Sequence, residues 1–574
     1  MRYQEFTISC PEGITVSAST LDELQTKVRA EWDSVIPGNP TLTVSWSEPV
    51  IDMQYQWYPN CHFNRSLNVD WYAPTYTKIS SGAPVFCFFN SASRNRLTVA
   101  LSDALNSIGL CTGVHEEDGT FLFSVEIPLD TNKKDYEFVL YRDRSDISFA
   151  ETLRRVSLWW EKGCGYTPAR VPEAARSAMY SFWYSFHQNV IAENTEAECA
   201  RAAALGLKTV IVDDGWQTDD NNRGYAYCGD WEPTPGKIPD MAKHVQNVHD
   251  MGLKYVLWYS VPFIGIHSGS FARFKDKLLC MNDRLNTGVL DPRYPDVRQY
   301  LIDTYVKALK EWNLDGFKLD FIDSFRSDSI PPYNAAMDYS SVEEAVNRLM
   351  LDVLGALKSI KPDILIEFRQ SYIGPIMRTF GNMFRVGDCP DDAISNRVGT
   401  IDLRLLSGNT AVHSDMLMWH KYELPQAAAL QLQSVLFSVP QISVNLDGIS
   451  GEHKKLLTFW LNFIETNKSL LLDAPLEVEA PHNLYPVVKA EKDRKAIIAV
   501  YDGGRIVDIP ENADEVLIVN ANYDKRLILS DSLERSMNIE IMDCMGEHVS
   551  RSVQNISTAV ISVPACGIIR LTKA

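Results

Sequence analysis

The chain of 574 residues contains no uninterrupted apolar run near the roughly 18 residues of a membrane span. Its opening stretch, MRYQEFTISCPEGITVSAST, has no apolar core of signal-peptide length, so a cytoplasmic protein with no membrane partner is expected. Positive charge is also scarce: 55 Lys and Arg stand against 74 Asp and Glu, for a net charge of -19. That balance advertises no basic face for nucleic acid, and acidity here most simply serves solubility. None of the 11 cysteines forms a CxxC pair or a zinc-ligand spacing, which points to reduced thiols and no metal. Neither GxxxxGK[ST] nor a GxGxxG after a strand occurs, and no HExxH surrounds His413, so no cofactor is expected.

What is present is a change of rhythm. Residues 1–165 carry short alternating runs such as TLTVSWSEPV and TFLFSVEI, which predict an N-terminal β-sandwich. From about 178, apolar strand-like runs alternate with helix-length amphipathic segments, the pattern of βα units around a parallel sheet. Eight strand candidates begin at 178, 208, 254, 314, 363, 383, 410 and 440, and eight make a (β/α)8 TIM barrel over 170–470. Helix ends support the count: Asn194 or Thr195 is the expected N-cap before a stop at Gly206, and Gly252 closes PDMAKHVQNVHDMG. Alternating runs return after 475, predicting a small C-terminal β domain over 476–574.

Chemistry in such barrels sits where the strands end, so the polar residues there carry the functional reading. In GFKLDFID, period two places Phe317, Leu319 and Phe321 on one face of the fourth strand and Lys318 with Asp320 on the other. A lysine there favours the ionised aspartate a nucleophile needs; a structural ion pair is the alternative. Strand two ends in VDDGWQ, with Asp213 and Asp214 as acceptors and Trp216 as an aromatic surface for a pyranose. Strand three offers Trp258 and Tyr259, strand five Glu367 and Arg369, and strand six Arg385 and Asp388, with Asp391 and Asp392 following. His413 is expected to be a structural hydrogen-bonding residue. Two carboxylates at one barrel mouth, Asp320 and Asp388, are the parts needed for glycoside cleavage.

These residues resemble the α-galactosidase-type glycoside hydrolases of families 36 and 27. VDDGWQ, GDWEPTPGKIPD, HVQNVHDMGLKYVLWYS, LDPRYPDVRQYL and WNLDGFKLDFID follow in the family's order and spacing. The resemblance implies Asp320 as nucleophile and Asp388 as acid/base, with Asp391 a weaker match. It implies Lys318, Asp213, Asp214, Trp258, Arg369 and Arg385 as sugar ligands and an oligosaccharide or glycoside as substrate. The expected activity is retaining exo-α-galactosidase, with N-acetylgalactosamine as alternative sugar. Departures occur at YSFHQN after strand one, WYSVPF after strand three and EFRQSYIG after strand five. A transglycosylase on the same scaffold and a non-catalytic carbohydrate-binding protein are the rival readings, and a homo-oligomer is left open.

Overall fold

The computed structural model describes residues 2–3, 5–34, 36, 38 and 40–574. Up to Asp143 the chain builds two six-stranded antiparallel sheets that enclose an apolar cluster including Trp46, Phe86, Phe88, Phe121 and Phe123. Thr41–Pro49 shows the cause: its side chains alternate between exterior and interior, so Leu42, Val44 and Trp46 all face the partner sheet.

The stretch predicted as wholly β ends instead in a helix, α1 (Phe149–Lys162), capped by Ser148, whose side chain accepts from the Glu151 N–H. Phe149, Leu153, Val156 and Trp160 recur at helical spacing and join the apolar cluster of the barrel rather than that of the sandwich. Three- and four-residue spacing in SFAETLRRVSLWW is the signal that the strand reading passed over.

Eight parallel strands close the barrel: β1 (Met179–Ser181), β2 (Thr209–Val212), β3 (Lys254–Ser260), β4 (Gly316–Asp320), β5 (Leu365–Arg369), β6 (Met383–Arg385), β7 (Ala411–Leu417) and β8 (Val439–Ile442). The (β/α)8 architecture is therefore as the sequence predicts, with β-sheets on either side of it in the chain. Helix α2 (Ala192–Ala204) starts before the expected cap, after Ile191. Thr195 lies inside its first turn, where its buried hydroxyl donates back to the carbonyls of Ile191 and Ala192 at 3.1 and 3.0 Å. Helix α3 (Met241–Asp250) is capped by Asp240, whose carboxylate accepts from Lys243 N. Gly252, at φ +80°, follows its end.

The barrel interior is divided by chemistry. At the N-terminal end Met179, Ile211, Val256, Leu365, Met383 and Ala411 form an apolar plug, closed below by Ala175. Further up, Lys318 stands in register with Glu367, Arg369 with Arg385, and Arg385 with His413 on neighbouring strands. Burying such groups is costly unless each is paired, so the upper layers form one connected polar network.

Beyond the barrel, a seven-stranded and a three-stranded sheet pack around a second apolar cluster that includes Ile498, Val516, Ile518 and Ile569. A buried polar knot ties the three regions together at Asp402 on α4 (Ala393–Leu406). Its carboxylate accepts from Trp57 Nε1 at 3.0 Å, from Arg65 Nη2 at 3.2 and 3.3 Å, and from the Tyr485 hydroxyl.

Candidate active site

The strand order of β3, β4 and β5 places Asp320 opposite Ser260 and beside the end of β5. Four donors converge on its carboxylate. Oδ1 accepts from Arg369 Nε at 2.6 Å, from the Phe321 N–H at 2.7 Å and from the Tyr372 hydroxyl at 3.0 Å. Among the described residues, Oδ2 accepts only from Trp258 Nε1, at 3.0 Å. Burial acts to raise this carboxyl, but Arg369, then Lys318, then the Trp258 hydrogen bond outweigh it and hold it well below the usual carboxylate range.

The expected pairing of Lys318 with Asp320 is replaced. Lys318 Nζ donates to Asp213 Oδ2, and Arg369 is the residue that directly bridges Asp320. Asp213 follows β2 and reaches Lys318 across the intervening β3, whereas Arg369 stands on β5, directly beside β4. Burial pushes the Asp213 carboxyl up against the pull of Lys318. Asp214 accepts from Gln188 Nε2 and Gln217 Nε2, each at 2.6 Å, and burial pushes its carboxyl to about 6. The turn carrying both aspartates requires Gly215: φ is +112°, and a Cβ would lie 2.5 Å from Gln188 Cα.

The structure revises Trp216 and Phe321 and decides Tyr259, which the sequence leaves open between core and ligand platform. Trp216 is fully buried, packed on Trp231, Tyr259 and Trp312, and offers no sugar surface. Tyr259 shares that outer core with Tyr305 and Phe317, whereas Trp258, next to it on β3, turns inward to Asp320. Phe321 leaves the strand at φ +64°, so it packs on Tyr225, Trp258 and Phe263 near the mouth, not among the helices.

Arg385, 1% exposed, lies among carboxylates: Nη1 donates to Asp415 at 2.5 Å, Nη2 donates to Asp388 at 2.9 Å, and Nε lies 3.7 Å from Glu367. Its expected role as a sugar ligand gives way to one of holding Asp388 and the turn after β6. Arg369 differs, because its Nη2 has no hydrogen-bond partner among the described residues and its plane lies over Phe321 and Tyr372. Glu367 is paired not with Arg369 but with Gln441 Nε2, at 2.5 Å.

Asp388 is open to the mouth, its side chain 57% exposed. Burial raises it, but Arg385 and then Lys318 outweigh that and hold it below its ordinary value. Asp391 accepts from Gln431, and Asp392 caps α4 by accepting from Ile394 N and Ser395 N, which accounts for both acids of the loop. His413, fully buried and kept neutral by burial at about 4, shares hydrogen bonds with Ala175 O and Gln441.

Sequence reasoning missed Tyr372 as part of the site and placed Asp415 at the end of strand seven without a role. Tyr372 follows β5 in a loop with no periodicity to mark it. Asp415 was legible as a strand-seven residue, yet nothing in sequence shows that it accepts from Arg385, from the Tyr184 hydroxyl at 2.9 Å and from Cys389 N at 2.6 Å. No group of three or more His, Cys, Asp or Glu that could hold a metal occurs among the described residues. No helix among them is long and apolar enough to cross a membrane.

The Melibiase family profile matches residues 173–375, the stretch carrying β1 to β5 and Asp320. This part of the barrel is similar to the Melibiase family. Over 210 residues the chain is 28% identical to α-galactosidase Mel36A of Lactobacillus acidophilus, covering 35% of this chain and 28% of that protein. It is 24% identical over 200 residues to the A type blood α-D-galactosamine galactosaminidase of Flavonifractor plautii, covering 32% of this chain and 17% of that one. The aligned segments thus make up less than a third of these melibiase relatives. The fold extends further: the GH36 α-galactosidase AgaA of Geobacillus stearothermophilus superposes with a TM-score of 0.68 at 16% identity. That match covers 98% of this chain and 81% of AgaA, and a variant of AgaA in complex with raffinose superposes at 0.65.

Proposed function

We propose that this protein is a retaining exo-α-glycosidase acting on terminal α-galactosides, with Asp320 as nucleophile and Asp388 as acid and then base. The carrying observation is the cradle around Asp320. Oδ1 already accepts three donors, whereas Oδ2 accepts one among the described residues and keeps acceptor capacity for the anomeric carbon. The lowered pKa keeps that oxygen anionic at working pH.

Asp388 needs a proton for the first step, although Arg385 favours its anion. Substrate covering its exposed carboxyl strips water from it and pushes its pKa upward, which loads the acid only when substrate is bound. Loss of the Asp320 charge on forming the glycosyl ester then lowers the Asp388 pKa and favours its role as base toward water.

Asp213, Asp214 and Lys318 supply acceptors and a donor for hydroxyls, and the free Arg369 Nη2 faces the C2 side that the fifth strand is expected to border. A guanidinium there suits a neutral hydroxyl and repels a free amino sugar, so α-galactoside is preferred over α-galactosaminide. A panel of aryl α- and β-glycosides tests this. Turnover of α-galactoside supports the assignment, turnover of another α-sugar moves the specificity, and no turnover favours the binding-protein reading. Product analysis with an added acceptor sugar separates hydrolysis from transfer.

Asp214 adds a pH signature. With its carboxyl at about 6, protonation below that pH removes an acceptor from the sugar, so KM is expected to rise as pH falls through about 6. Asp214→Asn, which has no such proton to gain, should show a high KM without that step. A step persisting in the variant contradicts the role.

A further inference from the structure

The four hydrogen bonds to Asp320 are divided unevenly between its oxygens: among the described residues, three end on Oδ1 and one on Oδ2. In a double displacement Oδ2 is the atom that bonds to the sugar, and Oδ1 is left as the carbonyl oxygen of the ester. Two of the Oδ1 donors, Arg369 and Tyr372, come from one short stretch at the end of β5, EFRQSYIG. Resting on the glycosidase reading, we propose that Tyr372 is a catalytic residue of the second step: its hydroxyl stabilises the Asp320 carboxylate as that carboxylate leaves the sugar.

The charge on Asp320 changes in each step, and that decides where the hydrogen bond acts. In the first step Oδ2 bonds to the anomeric carbon, the bond from that carbon to the leaving oxygen breaks, and Asp388 gives its proton to that oxygen. The carboxylate becomes a neutral ester, which is a weaker acceptor. In the second step water bonds to the anomeric carbon and gives a proton to Asp388. The bond to Oδ2 breaks, and its electron pair returns to Asp320 as negative charge shared by both oxygens. A hydrogen bond to an ionised group is about twice as strong as one to a neutral group, so a donor on Oδ1 opposes the attack and assists the departure.

The surroundings of Tyr372 suit that exchange. Its single hydroxyl proton has two acceptors within reach, Asp320 Oδ1 at 3.0 Å and the Leu319 carbonyl at 3.3 Å. While Asp320 is charged, its carboxylate is the nearer and the stronger of the two. Once the ester forms, the proton can turn to the Leu319 carbonyl, so the buried hydroxyl is never stranded, and it turns back as charge returns to Oδ1. The ring is fully buried and packs on Phe368 with centroids 5.8 Å apart, which fixes the oxygen while the O–H bond stays free to rotate. Burial, then the Asp320 charge, pushes the phenol well above its usual range and keeps it a donor at working pH. Arg369 Nε at 2.6 Å and the Phe321 N–H at 2.7 Å hold the same oxygen in place throughout.

Tyr372→Phe keeps the ring and removes only the hydroxyl. The probe is a dinitrophenyl α-galactoside, whose leaving group departs without a proton, so that the second step limits turnover. The variant is expected to show kcat lowered about tenfold and KM lowered in proportion, with kcat/KM within about threefold of wild type. The galactosyl enzyme should then approach full occupancy at steady state, read as a burst of dinitrophenolate equal to the active sites. A kcat/KM that falls as far as kcat with KM unchanged, which is what a merely structural hydroxyl would give, overturns the assignment, and so does an unaltered kcat. Wild-type enzyme that releases no dinitrophenolate defeats the glycosidase reading itself, whereas wild-type turnover without the split in the variant defeats the role of Tyr372 alone.

Discussion

Asp320→Asn is expected to lower kcat/KM for aryl α-galactosides by about 10⁴-fold or more, with the circular dichroism spectrum retained. The size follows from the geometry. Asparagine fills the same space and its oxygen can still accept from Arg369, Phe321 N or Tyr372, so the fold has no cavity to collapse into. What is lost is the anionic Oδ2 that the cradle leaves free, and with it the covalent step that splits one difficult displacement into two. The amide nitrogen would also face the Trp258 N–H, a donor against a donor, so a modest loss of thermal stability accompanies the loss of activity. Activity within about tenfold of wild type would mean that another group attacks the sugar.

The largest effect on stability is expected at Asp402. Replacement by alanine removes the acceptor for Trp57, Arg65 and Tyr485 at once and leaves the Arg65 guanidinium buried without a partner. Breaking one half of a buried pair costs about 3–5 kcal/mol. Because the donors come from before the barrel and after it, the loss should loosen all three regions together, giving one transition at lower denaturant rather than an early separate step. The double variant Arg65→Met, Asp402→Leu, which removes both charges, should recover more than half of the loss, since neither charge is then stranded. A single variant as stable as wild type in equilibrium unfolding would show that the knot contributes nothing net.

The sequence carried the barrel strands clearly, and the reason is periodic. Parallel strands buried on both faces read as dense apolar runs, and helices between them alternate at a different period, so all eight strand positions could be read before any contact was known. The same periodicity brought Lys318 and Asp320 to the interior side of β4, where the structure places them. Pairing between strands was not legible. Lys318 meets Asp213 across β3, and Asp320 meets Arg369 on the adjacent β5, because barrel formation brings these strand ends together. Trp216 looked like a sugar platform from its position after Asp-Asp-Gly, but the left-handed glycine turns the chain so that the indole enters the outer core. Helix α1 is masked in the sequence because every element before it is a strand and its spacing has to be judged alone.

Double displacement requires a covalent bond between the sugar and Asp320, and that bond can be weighed. A 2-deoxy-2-fluoro-α-galactoside with an activated leaving group slows both steps, and its good leaving group lets the glycosyl enzyme accumulate. Mass spectrometry of the treated protein, followed by peptide mapping, is expected to find one fluoroglycosyl unit on the peptide containing Asp320 and none in Asp320→Asn. An adduct on another residue, or turnover with inverted product and no adduct, would contradict the double displacement.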